Sequence, residues 1–206
     1  MSLSLMLLHT SLCYSQKKME YGISFSLNYS DLHFSPLENA PGVSTEDFYM
    51  PVFNPGVGVR AGYKLSEDMK LSINPGINWL GAKSESETEG LGKSEGVYIN
   101  IPLLIHYEFA KNISFNAGMS YDYLLNLSWT SGDQTFDGTA SAENRSLFAA
   151  QTGISYAIGN MVELGLSYNH GLTPLSNFVF TDLNGNRIGE SAMTNRYYQF
   201  KVTLRQ

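Results

Sequence analysis

The sequence predicts an all-β chain, an eight-stranded antiparallel up-and-down transmembrane β-barrel with four long external loops and short periplasmic turns. Three observations carry this reading. Apolar and polar residues alternate with a period of two over stretches far longer than an ordinary strand of ~5–6 residues. Long polar connections and short turns join these stretches in strict alternation. The polar members of the alternation are mostly Gly, Ser, Asn and Ala, the small residues that the crowded interior of a narrow barrel requires.

Each element follows from its residues. Tyr21, Ile23, Phe25, Leu27 and Tyr29 alternate with Gly22, Ser24, Ser26, Asn28 and Ser30 to make the first strand. A polar stretch from Asp31 to about Asn54 is too long for a hairpin turn and reads as a large loop. The second strand, about Gly56 to Leu65, sets Val57, Val59, Ala61 and Tyr63 against Gly58, Arg60, Gly62 and Lys64, and ends at the turn Ser66-Glu67-Asp68. In the third strand Met69, Leu71, Ile73, Ile77 and Trp79 oppose Lys70, Ser72, Asn74 and Asn78, while Pro75-Gly76 predicts a bulge or bend. Lys83 to Glu95 reads as a second solvated loop. The fourth and fifth strands form a long hairpin, Gly96 to Leu127, turning at Ala110-Lys111-Asn112; on its second arm every odd position from Ile113 to Leu127 is apolar or aromatic.

A polar loop from Thr130 to about Arg145 leads to the sixth strand, Leu147 to Ile158, and Gly159-Asn160 turns the chain into the seventh, Val162 to Leu172. In the last long connection, Pro174 to Thr194, Asn184-Gly185 between Phe178-Val179-Phe180 and Arg187-Ile188 predicts a hairpin that extends beyond the barrel. The eighth strand runs from about Arg196 to the end. All three short turns fall at one end with both termini, the layout of bacterial outer-membrane barrels.

Composition agrees. At 206 residues the chain suits one domain, and its 16% charged residues fall below the ~25% usual for soluble domains. A net charge of −6 without clustered Lys and Arg excludes a general nucleic-acid binder. No uninterrupted apolar window approaches the ~18 residues of a transmembrane helix, which leaves strands as the means of crossing. Residues 1–16 have the apolar core and small polar ending of a secretory signal peptide, without the usual basic n-region, and residues 17–206 form the barrel. Cys13 is the only cysteine and falls in that leader, so no disulfide, thiol nucleophile or cysteine metal cluster is expected.

Alternation alone does not say which face is inside, because a soluble lipocalin-like barrel binding an apolar ligand alternates too. A solvent-washed face normally carries Lys, Glu and Thr, whereas here the polar face is small and poor in charge. The apolar face also sets Tyr21, Tyr29, Tyr63, Trp79, Tyr107, Trp129, Tyr156 and Tyr168 near strand ends, as interfacial girdles do. Both features favour a barrel in the outer membrane, in contact with lipid and lipopolysaccharide. With that orientation Arg60, Lys64, Lys70, Glu108, Asp122, Glu163, Lys201 and Arg205 lie inside. They are expected to pair with one another, Asp122 with Arg60 or Lys201, because unpaired charges in a narrow lumen are costly. A proton or ion path is the functional alternative, limited by the little room that eight strands leave.

No constellation demands chemistry. None of the four histidines has a second at metal-ligand spacing, so neither metal nor cofactor is expected. His33-Phe34-Ser35 resembles the His-x-Ser of outer-membrane lipid A deacylases, with Glu38 as an acidic partner, but Pro36 stands where those enzymes tend to have Asn. Asp182, Asn184 and Asn186 have calcium-loop spacing without the required glycine. The run Glu85, Glu87, Glu89 reads as a solvated loop able to bridge cations to lipopolysaccharide.

Tyr98-Ile99-Asn100-Ile101-Pro102-Leu103-Leu104 with Tyr107-Glu108-Phe109, the Gly153-x-x-Tyr156 spacing and Leu166-Ser167-Tyr168-Asn169-His170-Gly171-Leu172 are similar to segments of the Bacteroidota outer-membrane barrels related to PorT. The resemblance covers about Tyr21 to the C-terminus. It implies a non-enzymatic structural or interaction component, since some such barrels are implicated in type IX protein secretion, and it carries over no functional residue. A lipid-modifying enzyme is the rival from a different class.

Overall fold

The computed structural model describes residues 18–35, 49–86, 90–181 and 185–206. Its strands are β1 (Met19–Phe34), β2 (Met50–Lys64), β3 (Met69–Ile73), β4 (Gly76–Ser86), β5 (Gly90–Ala110), β6 (Ile113–Ser131), β7 (Gln134–Asp137), β8 (Ser146–Ile158), β9 (Val162–Gly171), β10 (Ser176–Thr181) and β11 (Arg187–Arg205). They form one antiparallel sheet. β3 and β4 are two pieces of one barrel strand, β7 and β10 are short additions outside the ring, and the remainder closes as eight hydrogen-bonded strands because β1 pairs with β11 from Gly22↔Arg205 to Phe34↔Met193. Closure removes the sheet edges, the condition for a sheet to sit in hydrocarbon.

The break between β3 and β4 lies at Asn74-Pro75, and Pro102 of β5 occupies the same level of the ladder. Two residues without an N–H thus share one gap, which Asn74 N–H to the Pro102 carbonyl (3.1 Å) and Val59 N–H to the Pro75 carbonyl (2.9 Å) bridge. The short turns follow β2, β5 and β8; Asn112 (φ 67°) and Gly159 (φ 61°) supply the left-handed residue that the latter two need. Lys64 N–H donates to the Lys18 carbonyl and Gln206 N–H to the Tyr21 carbonyl, so both described ends of the chain lie with these turns.

The external connections hold more strand than the sequence suggests. β1 runs on to Phe34 and β2 begins at Met50, and the β4–β5 ladder continues from Gly76↔Asn100 to Ser86↔Gly90, through most of the expected loop at 83–95. Ladder hydrogen bonds need only backbone, so polar side chains do not end a strand that stands in water. β10 pairs with β11 from Ser176↔Met193 to Thr181↔Arg187, the hairpin anticipated at the last long connection. The leader at 1–16, Glu38, Glu87, Glu89, Asp182 and Asn184 lie outside the described residues, as does the side chain of Glu85.

Sidedness is the decisive feature. On β1, Ile23, Phe25 and Leu27 are exposed, Phe25 at 54%, while the intervening Ser24 and Asn28 are buried, Asn28 at 0%. The same holds around the ring: Val57, Val59, Leu103, Ile105, Phe115, Ile154, Leu166 and Phe200 face out, and Arg60, Asn78, Asn100, His106, Asn116, Asp122, Gln151 and Gln199 face in. A soluble barrel requires the reverse, so the lipocalin-like alternative falls away. The apolar band on β1 runs from Tyr21 to Tyr29, nine residues counted inclusively, which suits the ~9–11 residues that a tilted strand needs to cross the hydrocarbon.

Among the described register shifts, the one on β6 changes which side chains enter the lumen. Between Val97↔Asn126 and Tyr98↔Leu124 the register of β5 and β6 shifts, leaving Leu125 as an extra residue. A bulge exchanges the faces beyond it, so Leu124 and Leu127 both point inward. Leu127 therefore leaves the lipid face to which the pattern assigned it, and Trp129 packs on the interior cluster rather than in the girdle.

Candidate functional site

The interior is layered. At the turn end, strand parity brings together Glu20 of β1, Arg60 of β2, Lys70 of β3, Glu163 of β9 and Arg205 of β11. Glu163 is the hub. Arg60 Nη1 donates to its Oε1, Arg205 Nη1 to its Oε2 at 3.2 Å, and Lys70 Nζ lies 3.8 Å from Oε2. Lys70 also donates to Glu20 Oε2 at 3.0 Å, and Lys64 stands 3.6 Å from Glu20 Oε1 at the exposed rim. Three cations converging on one buried carboxylate, with a second carboxylate taking two, satisfy the acids through charge-assisted hydrogen bonds. A cavity of 390 Å³ opens from this cluster to the turn end, with Lys70, His106, Glu108, Glu163 and Arg205 in its lining.

The middle layer is made of amides and hydroxyls. Gln199 Nε2 donates to Asn28 Oδ1 (2.9 Å), Asn28 Nδ2 to Asn78 Oδ1 (3.2 Å), Gln151 Nε2 to Ser167 Oγ (3.2 Å) and Asn74 Nδ2 to Ser72 Oγ, which lies 2.8 Å from His106 Nε2. The space left among Arg60, His106, Asn116, Gln151, Glu163 and Lys201 is about 30 Å³, enough for a water or two. Above it the interior turns apolar, with Leu32, Leu80, Tyr98, Leu124, Leu127, Leu147, Leu175, Met193 and Tyr197 in one buried cluster. Gly96 makes room for the Tyr98 ring, which occupies the place a Cβ would take.

The sequence-predicted interior residues thus divide. Arg60, Lys70, Glu163 and Arg205 meet, and Lys64 joins from the rim. Lys201 lies near Arg60 and Glu163 with no ion pair among the described residues. Glu108 Oε1 accepts from Asn112 N–H at 3.0 Å and so closes its own turn. Asp122 pairs with neither Arg60 nor Lys201: its carboxylate accepts from Asn100 Nδ2 and, at 3.4 Å, from Ser120 Oγ. The reason is height along the barrel, since Asn100 lies directly across the β5–β6 ladder from Asp122, while Arg60 and Lys201 sit nearer the turn end. Glu20, which sequence reasoning missed, lies one residue before the assigned start of the first strand, and extending the alternation from Ser24 back through Gly22 places it inward.

His33 and Ser35 sit at the external end of β1. Ser35 Oγ accepts from Ala192 N–H at 2.8 Å, and the Ser35 carbonyl accepts from Ser191 Oγ at 2.6 Å, so this serine ties β1 to β11. The residues described contain no cluster of His, Cys, Asp and Glu able to hold a metal ion.

The comparisons with known proteins point to one class. A family model described as outer membrane protein beta-barrel domain matches residues 14–177. Among solved structures the fold is similar to Neisserial surface protein A (TM-score 0.53, 9% identity, 89% of this chain and 96% of that one). It is also similar to Ail, the attachment invasion locus protein of Yersinia pestis, in complex with the heparin analogue sucrose octasulfate (TM-score 0.51, 9% identity, 92% and 99%). At such identity the likeness concerns the fold alone. No curated protein matches the sequence.

Proposed function

We propose that this chain, which belongs to the outer membrane protein β-barrel domain family and resides in the bacterial outer membrane, is a non-enzymatic structural or interaction component with a plugged interior. The observation that carries this reading is the filled lumen: a charge network centred on Glu163, an amide layer and an apolar cluster stacked in series, with about 30 Å³ left beyond the 390 Å³ turn-end vestibule. Eight strands leave room for side chains and little else. With the interior occupied, the surfaces that remain are the outward band, the external strands and the turn-end vestibule. The resemblance to PorT-related barrels supports an accessory role in protein secretion, with the partner contacted through the external strands or the periplasmic rim.

Two measurements test this. Purified protein in planar bilayers is expected to give no steady conductance, and stable open steps would contradict the plug. Detergent pull-down from native membranes is expected to recover a protein partner in constant ratio; recovery of the barrel alone would contradict the interaction role. The rival reading, a lipid-modifying enzyme using His33 and Ser35, competes with a structural role for this serine, whose hydroxyl and carbonyl both bond to β11.

A further inference from the structure

Beyond the upper tyrosines the outward face of three adjacent strands loses its apolar character. The outward positions of three adjacent strands carry Ile23, Phe25, Leu27 and Tyr29 on β1, Leu204, Val202, Phe200 and Tyr198 on β11, and Val162, Leu164, Leu166 and Tyr168 on β9. One outward step beyond the tyrosines come Asp31, Arg196 and His170, in register with one another. Arg196 donates through Nε (3.3 Å) and Nη2 (3.0 Å) to Asp31 Oδ2, and Tyr168 Oη lies 3.3 Å from His170 Nδ1. Tyr198 packs on Tyr168 with ring centroids 5.0 Å apart, and Tyr29 packs on Phe53 at 4.8 Å. A cavity of 280 Å³ lies against this cross, its lining including Tyr29, Asp31, Pro51, Tyr168, Arg196 and Tyr198.

We infer that this cavity holds the phosphorylated sugar headgroup of an outer-leaflet glycolipid, the lipid A class. The inference rests on the outer-membrane reading and adds a bound partner to it. Height selects the leaflet: the cavity sits just past the upper tyrosines, at the external end of the strands, where headgroups replace acyl chains. Chemistry selects the headgroup. Both hydrogen bonds of Arg196 to Asp31 use Nε and Nη2, so Nη1 remains to donate to a phosphate oxygen. Asp31 contributes by fixing the guanidinium: Oδ2 takes both Nε and Nη2, which aims the remaining Nη1 outward, a support that a lone surface arginine would lack. A phosphate meets that donor, and the rings of Tyr29, Tyr168 and Tyr198 give the sugar that carries it an amphipathic wall.

The test is native mass spectrometry of the folded protein in mild detergent with three probes: diphosphorylated lipid A, the same lipid A without phosphates, and dioleoylphosphatidylethanolamine. Wild type is expected to retain one diphosphorylated lipid A, at least tenfold more than either other probe. Arg196→Gln is expected to lose that preference, as is the charge-neutral double variant Asp31→Asn/Arg196→Gln, which guards against an effect of an unpaired aspartate. Lys64→Gln at the opposite rim is expected to bind as wild type does. Equal retention by Arg196→Gln, equal binding of the dephosphorylated probe, or preference for the phosphatidylethanolamine would overturn the assignment. Heat-modifiable migration of each variant separates loss of the lipid from loss of the barrel.

Discussion

Arg60 of β2 and Glu163 of β9 are 103 residues apart in sequence and form a buried ion pair across the barrel interior, with β1 and β11 between their strands. Each is nearly sealed from solvent, with 5% and 8% of the side chain exposed. The pair spans the seam at which the first and last strands meet, so it reports ring closure as well as interior charge balance.

Glu163→Gln removes the carboxylate shared by Arg60, Lys70 and Arg205, and a buried charge left without its partner is destabilising by about 3–5 kcal/mol. Urea unfolding in lipid vesicles should show that loss. Asp122→Asn should cost only about 0.5–1.5 kcal/mol, because Asp122 accepts hydrogen bonds from Asn100 and Ser120 and meets no cation among the described residues. Comparable losses in the two variants would place Asp122 back in the charge network.

Leu124 is fully buried in the apolar layer at the external end of the lumen. Leu124→Ala is expected to destabilise the barrel by about 2–5 kcal/mol, the range for a large-to-small change in a packed core. Leu125, the bulge residue next to it, is exposed, and Leu125→Ala should change stability by less than about 0.5 kcal/mol. Reversal of the two would show that the bulge lies elsewhere.

Gly56 faces inward, and a Cβ there would collide with Asn78 Oδ1 and Ser26 Oγ. Gly56→Val is expected to cost about 1–3 kcal/mol by overpacking, and to weaken the link from Asn28 to Asn78. The readout is the same urea titration, with Gly159→Ala as a contrast in which strain at φ 61° is the only defect.

Much of this fold was legible because one physical rule governs it. Period-two alternation with small polar partners showed eight strands, and the spacing of long and short connections showed which end holds the termini. What escaped the pattern has local causes. The inward turn of Leu127 and Trp129 depends on a bulge, and one inserted residue in a run of leucines, Leu124-Leu125-Asn126-Leu127, leaves no compositional mark. The apolar layer drew Leu32, Leu175 and Met193 from stretches that read as loops, because strands that rise above the membrane can face apolar residues inward and polar ones to water. The charge cluster was foreseen as a set of residues but not as a geometry: parity says which side chains face in, and only the shear of the strands says which of them share a height. For that reason Glu163 emerged as the hub and Asp122 did not.

The central claim is that the apolar face meets lipid and the polar face fills the lumen, and spin labels along β1 test it most directly. Nitroxides placed singly at positions 23 to 28, in a chain carrying Cys13→Ser and reconstituted in vesicles, would be read by power saturation with oxygen and with a water-soluble nickel complex. The account predicts high oxygen and low nickel accessibility at Ile23, Phe25 and Leu27, and low accessibility to both at Ser24, Ser26 and Asn28. Nickel accessibility at the even positions, or oxygen accessibility in the opposite phase, would contradict it.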